Sequence, residues 1–473
     1  VITVIDVQAH VTRIATRIPF RYGIAEMVAA PHVVIEVTLD DGGRRARGWA
    51  SEHLPPKWFT KDPESLFVDE IADMVAVIEN AVEAARGSSG ETAFDIWWAL
   101  QQRQDAWAAE NRVPGLLAGL GTALVERALI DAACRLAGAP FARALLGGAL
   151  GFEPQRIHPE LVARSLDELL PAPGSTTIAI RHTVGLSDAL TDDEVVDAPA
   201  DGLPVSLESV IRRYGVTHFK IKTAGSLTDD VPRLHRILDL IDAAGIDPVL
   251  TIDGNESMKT AQQLVDWTRG LLADDRLAPV LRASLVAVEQ PFHRSIALGA
   301  EAAAALEQIR GDVAVIIDES DDSLTTIRDA MDLGYAGGTY KGCKGVFRGL
   351  ANAALIRARG GTGVLTAEDL STVPPLTVPQ DLLVAHVMGL THIERNGHHY
   401  FGQLAPLDSR VDDLALAAHP DLYERGADDR VRLRIVDGAV ALDSLLDSPF
   451  GLSADLDTAG LEPLSVEAAT RGM

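Results

Sequence analysis

Cysteine is scarce in these 473 residues, with only Cys134 and Cys343 present. Two cysteines exclude a disulfide framework and a cysteine zinc site, and such usage suits a reducing cytoplasm, which is the expected compartment. Cys134 falls in Ala123 to Leu136 and is expected as a buried helix residue. Long apolar runs are missing: no stretch reaches about eighteen apolar residues, so no membrane-spanning helix is expected. Val1-Ile2-Thr3-Val4-Ile5-Asp6 does not place a basic region before an apolar one, so no signal peptide is expected. Positive charge is in deficit, with 42 Lys and Arg against 68 Asp and Glu and a formal charge of −26. That balance argues against nucleic acid or an anionic membrane as partner.

What is present is enough apolar residue, 47% of the chain, to bury more than one core, and two or three domains are expected. Residues 1 to about 58 read as β-structure. Val1 to Ala15 and Pro31 to Leu39 are rich in β-branched residues, Ile18 to His32 reads as a loop between them, and Asp40-Asp41-Gly42-Gly43 turns the chain into Arg47 to Glu52. From about Pro63 to Leu146 the apolar period becomes helical, and Leu116 to Leu136 reads as an amphipathic helix ended by Ala137-Gly138-Ala139-Pro140. Together these predict an α+β domain over 1–150.

From about Ser175 strands alternate with helices. The strands read as Ile178 to Val184, His218 to Thr223, Val249 to Asn255, Leu285 to Phe292, Val313 to Ser320, Gly338 to Lys341, Gly363 to Asp369 and Thr391 to Asn396. Most intervals are roughly 25 to 40 residues, and eight such units match the length of a (β/α)₈ barrel, assigned to 151–405. An open doubly wound sheet is the competing architecture, but no glycine-rich dinucleotide fingerprint follows the first strand. Leu234 to Ile241 and Ala261 to Leu272 are expected as exterior helices. The tail, 406–473, returns to β-structure in Val431 to Leu442, with Asp437-Gly438 as a hairpin turn.

The chemistry collects at the strands' C-terminal ends, where such barrels build active sites. Strand alternation puts Lys220 and Lys222 on one face, with Phe219 and Ile221 in the apolar layer behind. The third strand ends in Asp253, with Asn255 sharing its parity; the fourth ends in Glu289-Gln290-Pro291 and the fifth in Asp318-Glu319-Ser320. Three acids converging from adjacent strands need a cation, and Mg²⁺ is the expected cofactor, held by Asp253, Glu289 and Asp318. The sixth strand brings Lys341, across the mouth from Lys222, and a lysine beside a cation and a second lysine is expected to have a lowered pKa and serve as a base. Lys344 reads as a surface loop residue.

The series Lys-x-Lys, Asp-x-Asn, Glu-Gln-Pro, Asp-Glu-Ser and a sixth-strand Lys resembles the enolase superfamily, and within the mandelate racemase/muconate lactonizing enzyme family its muconate lactonizing enzyme subgroup. The resemblance covers nearly the whole chain and implies a (β/α)₈-type barrel with an α+β capping domain built from the N-terminus and the C-terminal tail. It implies Mg²⁺ on Asp253, Glu289 and Asp318, acid/base roles for Lys222 and Lys341, and Lys220 as the neutraliser of the substrate carboxylate, with Asn255 and Glu319 supporting the metal ligands. Segments Phe20 to His32 and Trp49 to Phe59 resemble those that close over substrate, and family members resemble homo-oligomers. The run Lys344-Gly345-Val346-Phe347 departs from the paired glycine often found after the sixth-strand lysine. Thr366-Ala367-Glu368-Asp369 lacks the seventh-strand His of the mandelate racemase branch.

The activity this implies is Mg²⁺-dependent removal of the α-proton of a small carboxylate substrate to give a metal-stabilised enediolate, leading to racemisation, epimerisation or cycloisomerisation. The alternatives are a lyase that dehydrates acid sugars or hydroxy acids with His398 as base, and a non-catalytic ligand-binding barrel. In the polar run Glu394 to Tyr400, Arg395 or His398 is expected to touch the distal part of the substrate, and His182 at the first strand end has the same standing.

Overall fold

The computed structural model describes residues 1–170 and 174–472. Three long strands open the chain: β1 (Ile2–Tyr22), β2 (Ala25–Asp40) and β3 (Arg45–His53), antiparallel in that order. The expected loop at Ile18 to His32 is instead continuous hairpin, pairing from Thr3↔Asp40 to Tyr22↔Ala25 with a register shift between Ala15 and Phe20. Strand β2 is buried on both faces. Val33, Ile35, Val37 and Leu39 pack on helices, while Val34 joins Ile14, Trp49, Leu452 and Leu456 under the tail.

The helices on the first face are α1 (Phe67–Ala85), α2 (Ala93–Asn111) and α3 (Gly115–Ala137), and Gly138 closes α3 in a left-handed cap. Helix α3 is not the two-faced helix its sequence suggests. It lies between the sheet, α1, α2 and the barrel, and nearly every side chain from Leu116 to Leu136 is buried. Its polar residues reach across to the barrel or back to the sheet: Glu126 accepts from the Val346 and Phe347 amides at 3.0 and 2.7 Å, and Arg127 donates to Glu52 at 3.1 Å. Cys134 is buried there as expected. β3 approaches α3 so closely that a Cβ on Gly48 would stand 2.1 Å from the Ala132 amide nitrogen.

All eight expected barrel strands form, as Thr177–Val184, His218–Lys222, Val249–Asp253, Leu285–Glu289, Val315–Ile317, Gly337–Lys341, Val364–Glu368 and His392–Glu394. They curl into a parallel sheet in which the ladder runs from the eighth strand through the first to the seventh. The seventh and eighth lie side by side with no ladder between them among the described residues. Side chains bridge this seam, with Arg181 of the first strand donating to the Ala367 carbonyl at 3.2 Å. Outside, Leu227–Ala243 buries Leu234, Ile237, Leu238 and Ile241, and Ala261–Ala273 buries Leu264, Val265, Trp267 and Leu271, one apolar stripe each.

Asp437-Gly438 makes the expected turn, with both residues at positive φ (48° and 73°) and the Val436 and Ala439 backbones bonded to each other at 2.9 and 3.0 Å. The ladder stops at that pair because both arms find other partners: Val431–Leu433 pairs with Tyr423–Arg425, and Ala439–Ala441 with the first barrel strand at Thr177–Ala179. The chain then returns to the capping sheet, where Glu462–Pro463 pairs with β1 at His10 and Val11. Among the described residues no helix is long and apolar enough to cross a membrane.

Candidate active site

Register sets the site. Lys222 pairs with Asp253, Asp253 with Glu289, and Lys341 with Glu368, so charged side chains end neighbouring strands at one level. Phe219 and Ile221 are buried behind the lysines, as strand alternation requires. Lys220, expected to meet a substrate carboxylate, is instead the counter-charge at the centre of the protein's own acids. Its Nζ lies 2.8 Å from Glu289, 2.5 Å from Glu368, 3.0 Å from Glu394 and 3.1 Å from Asp253. Burial alone would lower this amine, but the four carboxylates hold it well above the ordinary lysine value.

The acids that come close enough together to hold a metal are Glu289, Asp318 and Glu368, each offering an oxygen within 4.8 Å of the others. Asp253, the third-strand acid of the expected set, turns its Oδ2 to Lys222 at 3.0 Å as well as to Lys220. The triad fits a hard cation. Its donors are all carboxylate oxygens, and Glu289 Oε2 and Glu368 Oε1 are buried with no hydrogen-bond partner among the described residues. Burial and the neighbouring Glu368 push Glu289 well above the usual carboxylate range. Glu368 goes the other way: burial acts upward, yet Lys220 and Lys341 hold it well below.

The two expected acid/base lysines both reach the cleft. Lys222 is 14% exposed and has one acid partner, Asp253. Lys341 bonds Glu368 at 2.7 Å and Asp318 at 3.1 Å, with the Trp58 ring centred 5.1 Å from its Nζ. Burial acts downward on both amines, but Asp253 raises Lys222, and Asp318 with Glu368 raises Lys341 well above its ordinary value; the acids that raise Lys341 are two whose charge a cation on the triad would offset. Lys344, read as a surface residue, is buried, with its Nζ 2.7 Å from both Asp318 Oδ1 and the Asp318 carbonyl, and so fixes that acid's orientation.

The capping sheet forms the roof. Phe20, Tyr22 and Met27 from the β1–β2 hairpin and Pro55, Lys57, Trp58 and Lys61 from the segment after β3 line a cleft of about 650 Å³, open mouth included. That segment is anchored on the barrel. Arg294 donates to the Phe59 carbonyl at 2.6 Å, the Trp58 carbonyl at 3.1 Å and Glu256 at 2.8 Å, and Lys61 bonds the Asn255 carbonyl at 2.7 Å. Asn255 and Glu319 are cleft residues joined at 3.3 Å. Burial and Asp318 push Glu319 up to about 7.

Arg395, His398 and His182 lie outside the cleft lining. Arg395 bonds Asp369 at 2.5 Å and Asp381 at 3.0 Å, a buried network that explains much of the polarity of its run. The His398 ring packs 5.4 Å from Tyr214 and 6.3 Å from His182, whose own ring meets His399 edge-on at 5.1 Å. Their expected contact with the substrate does not follow from these positions. Missed in the sequence are Glu368 and Glu394, the latter accepting from Thr183 and Lys220. Both carry the signal that identified the other acids, a carboxylate ending a barrel strand.

No protein-family model matches the chain, and no curated protein does. Solved structures do. The chain is similar to a mandelate racemase/muconate lactonizing protein from Herpetosiphon aurantiacus, at 16% identity and a TM-score of 0.62, covering 96% of this chain and 99% of that one. An enolase from Bradyrhizobium complexed with magnesium and mandelic acid is 18% identical with a TM-score of 0.59 over 97% of each chain. The L-Ala-D/L-Glu epimerase from Bacillus subtilis is 16% identical with a TM-score of 0.58, over 93% of this chain and 99% of that one. At such identities the likeness is one of fold.

Proposed function

We propose that this chain, which has the fold of the mandelate racemase/muconate lactonizing enzyme structures of the enolase superfamily, is a Mg²⁺-dependent enzyme of that family that moves a proton at the carbon beside a substrate carboxylate. The observation that carries this reading is that Lys222, Lys341 and two acids of the triad, Asp318 and Glu368, line one roofed cleft, with Glu289 buried beside them. Glu289, Asp318 and Glu368 would hold the metal, which when bound supplies positive charge beside the substrate carboxylate and steadies the negative charge that grows as the α-proton leaves.

The chain's own residues do the rest. Lys222 has a single acid partner and enough exposure to direct its remaining N–H bonds at a substrate. Lys341 reaches the cleft from the sixth strand, with the third, fourth and fifth strands between the two. A carbon held between these amines can lose a proton to one and regain it from the other on the opposite face. Racemisation or epimerisation follows if both act, cycloisomerisation if one acts and the other is a charge partner. Trp58 and the hairpin residues above limit water at the reacting carbon. Neighbours named as an L-Ala-D/L-Glu epimerase and an N-succinyl Arg/Lys racemase favour an isomerase over a lyase, and His398, outside the cleft, is not placed to be a dehydratase base.

The test is proton NMR of a panel of carboxylates with the protein and Mg²⁺ in D₂O. Loss of an α-proton signal that stops in excess chelator supports the reading. Exchange that persists at full rate in chelator overturns the metal requirement, and no exchange across the panel overturns the proton-transfer assignment.

A further inference from the structure

Between the fourth- and fifth-strand acids stands a buried amide. Gln290 follows Glu289, is 1% exposed and lies outside the cleft lining, as does Ser320, the last residue of Asp318-Glu319-Ser320. The paired residues of these two strands end at Glu289↔Ile316, and the Gln290 backbone N–H still donates to the Ile316 carbonyl at 2.9 Å. Beyond that point the Gln290 side chain continues the connection. Its Oε1 accepts from the Asp318 amide at 2.8 Å and the Ser320 amide at 3.2 Å, while Nε2 donates to the Ser320 hydroxyl at 2.7 Å and the Phe292 carbonyl at 2.9 Å. A primary amide has two lone pairs and two N–H bonds, so this side chain is fully engaged, and only one orientation of its oxygen and nitrogen serves all four partners. On the other side the Gln290 carbonyl accepts from the Glu256 amide at 2.8 Å, which ties in the turn after the third strand.

The backbone bends to allow this. Gln290 has a φ of 35°, a left-handed value that side chains other than glycine adopt seldom and keep only where their surroundings over-determine it. Resting on the metal site proposed above, we infer that Gln290 is a positioning residue: it lies off the cleft and acts by fixing the spacing of Glu289, its chain neighbour, and Asp318, whose amide it holds. Both acids belong to the triad, and both stay in the ligand set whether Glu368 or Asp253 supplies the third carboxylate. Mg²⁺ demands near-ideal octahedral positions of its ligands, whereas Ca²⁺ accepts a looser and more variable shell. A fixed spacing therefore matters most for the smaller ion.

Titration calorimetry of Mg²⁺ and of Ca²⁺ into the metal-free protein tests this on wild type, Gln290→Met and Ser320→Ala. Gln290→Met keeps the length of the side chain and loses its four hydrogen bonds. It should weaken Mg²⁺ binding at least about tenfold, the low end for loss of a group that orients a metal ligand, and Ca²⁺ binding by a smaller factor. Ser320→Ala removes one of the four partners and should cost about threefold for Mg²⁺, the worth of one ordinary hydrogen bond, again with less effect on Ca²⁺. It carries the test alone if circular dichroism shows Gln290→Met unfolded. Unchanged Mg²⁺ affinity in the folded variants, or equal losses for the two ions, overturns the inference and leaves the metal site standing. A wild-type chain that fails to bind Mg²⁺ overturns the metal requirement of the proposed function and this inference with it.

Discussion

Glu368 stands between two lysines: one oxygen, Oε2, accepts from Lys341 at 2.7 Å, its register partner on the sixth strand, and from Lys220 at 2.5 Å, reaching over from the second. The same residue is the seventh-strand member of the triad suited to a metal. In the proposed function an acid that bonds both amines and also holds a cation would couple proton transfer to metal binding.

Glu368→Gln should therefore weaken Mg²⁺ binding at least about tenfold, the low end for loss of a charged group bound to a charge. Titration calorimetry with Mg²⁺ alone measures it, with circular dichroism to confirm the fold. Asp253→Asn is the comparison, since Asp253 is taken up by Lys220 and Lys222. If Asp253→Asn removes metal binding and Glu368→Gln does not, the ligands are Asp253, Glu289 and Asp318.

Gly48→Ala should destabilise the capping sheet severely. The added methyl would meet backbone, the Ala132 nitrogen at 2.1 Å and the Ala128 carbonyl oxygen at 2.4 Å, and neither can rotate aside. A loss of about 3 kcal/mol, the upper part of the usual overpacking range, is expected in denaturant unfolding. A change under about 0.5 kcal/mol would show that β3 and α3 are farther apart.

Glu126 gives a pH dependence with a definite sign. Burial pushes its carboxyl from 4.5 up to about 7, against the pull of the Phe347 and Val346 amides. The folded chain thus binds the proton more tightly than the unfolded one, so this stabilisation is fully present below about 4.5 and is lost as pH rises through 7. Glu126→Gln, fixed in the neutral form, should lose this dependence: between pH 4.5 and 7.5 wild type should lose about 3 kcal/mol relative to the variant. Parallel stability curves across that range would contradict it.

Much of this fold is legible in the sequence because each barrel strand is an apolar run ending in a charged residue, as Val313 to Ile317 ends in Asp318. Parity then puts Lys220 and Lys222 on one face without further information. The hairpin from Phe20 to His32 is harder to read: Pro31, which lacks a ladder donor, and Gly23 suggest a loop, yet Pro31 sits within β2 opposite Arg13. Partner choice is the other blind spot. Strand ends alone show that Lys220 and Glu368 face inward, but not that Glu368, Glu289, Glu394 and Asp253 all converge on Lys220. Arg395 looks like a ligand contact for the same reason, since a buried pair with Asp369 and Asp381 has the same polar signature as a binding residue.

The most direct test of the two-lysine site is solvent-deuterium exchange at the α-carbon of each enantiomer of a bound carboxylate, followed by NMR for wild type, Lys222→Ala and Lys341→Ala. Both variants should lose turnover by about 10² to 10⁴, the usual contribution of a positioned acid or base. In a racemase each should still exchange one enantiomer, opposite between the two. Less than a tenfold loss in either variant, with the fold intact, would contradict proton transfer between Lys222 and Lys341.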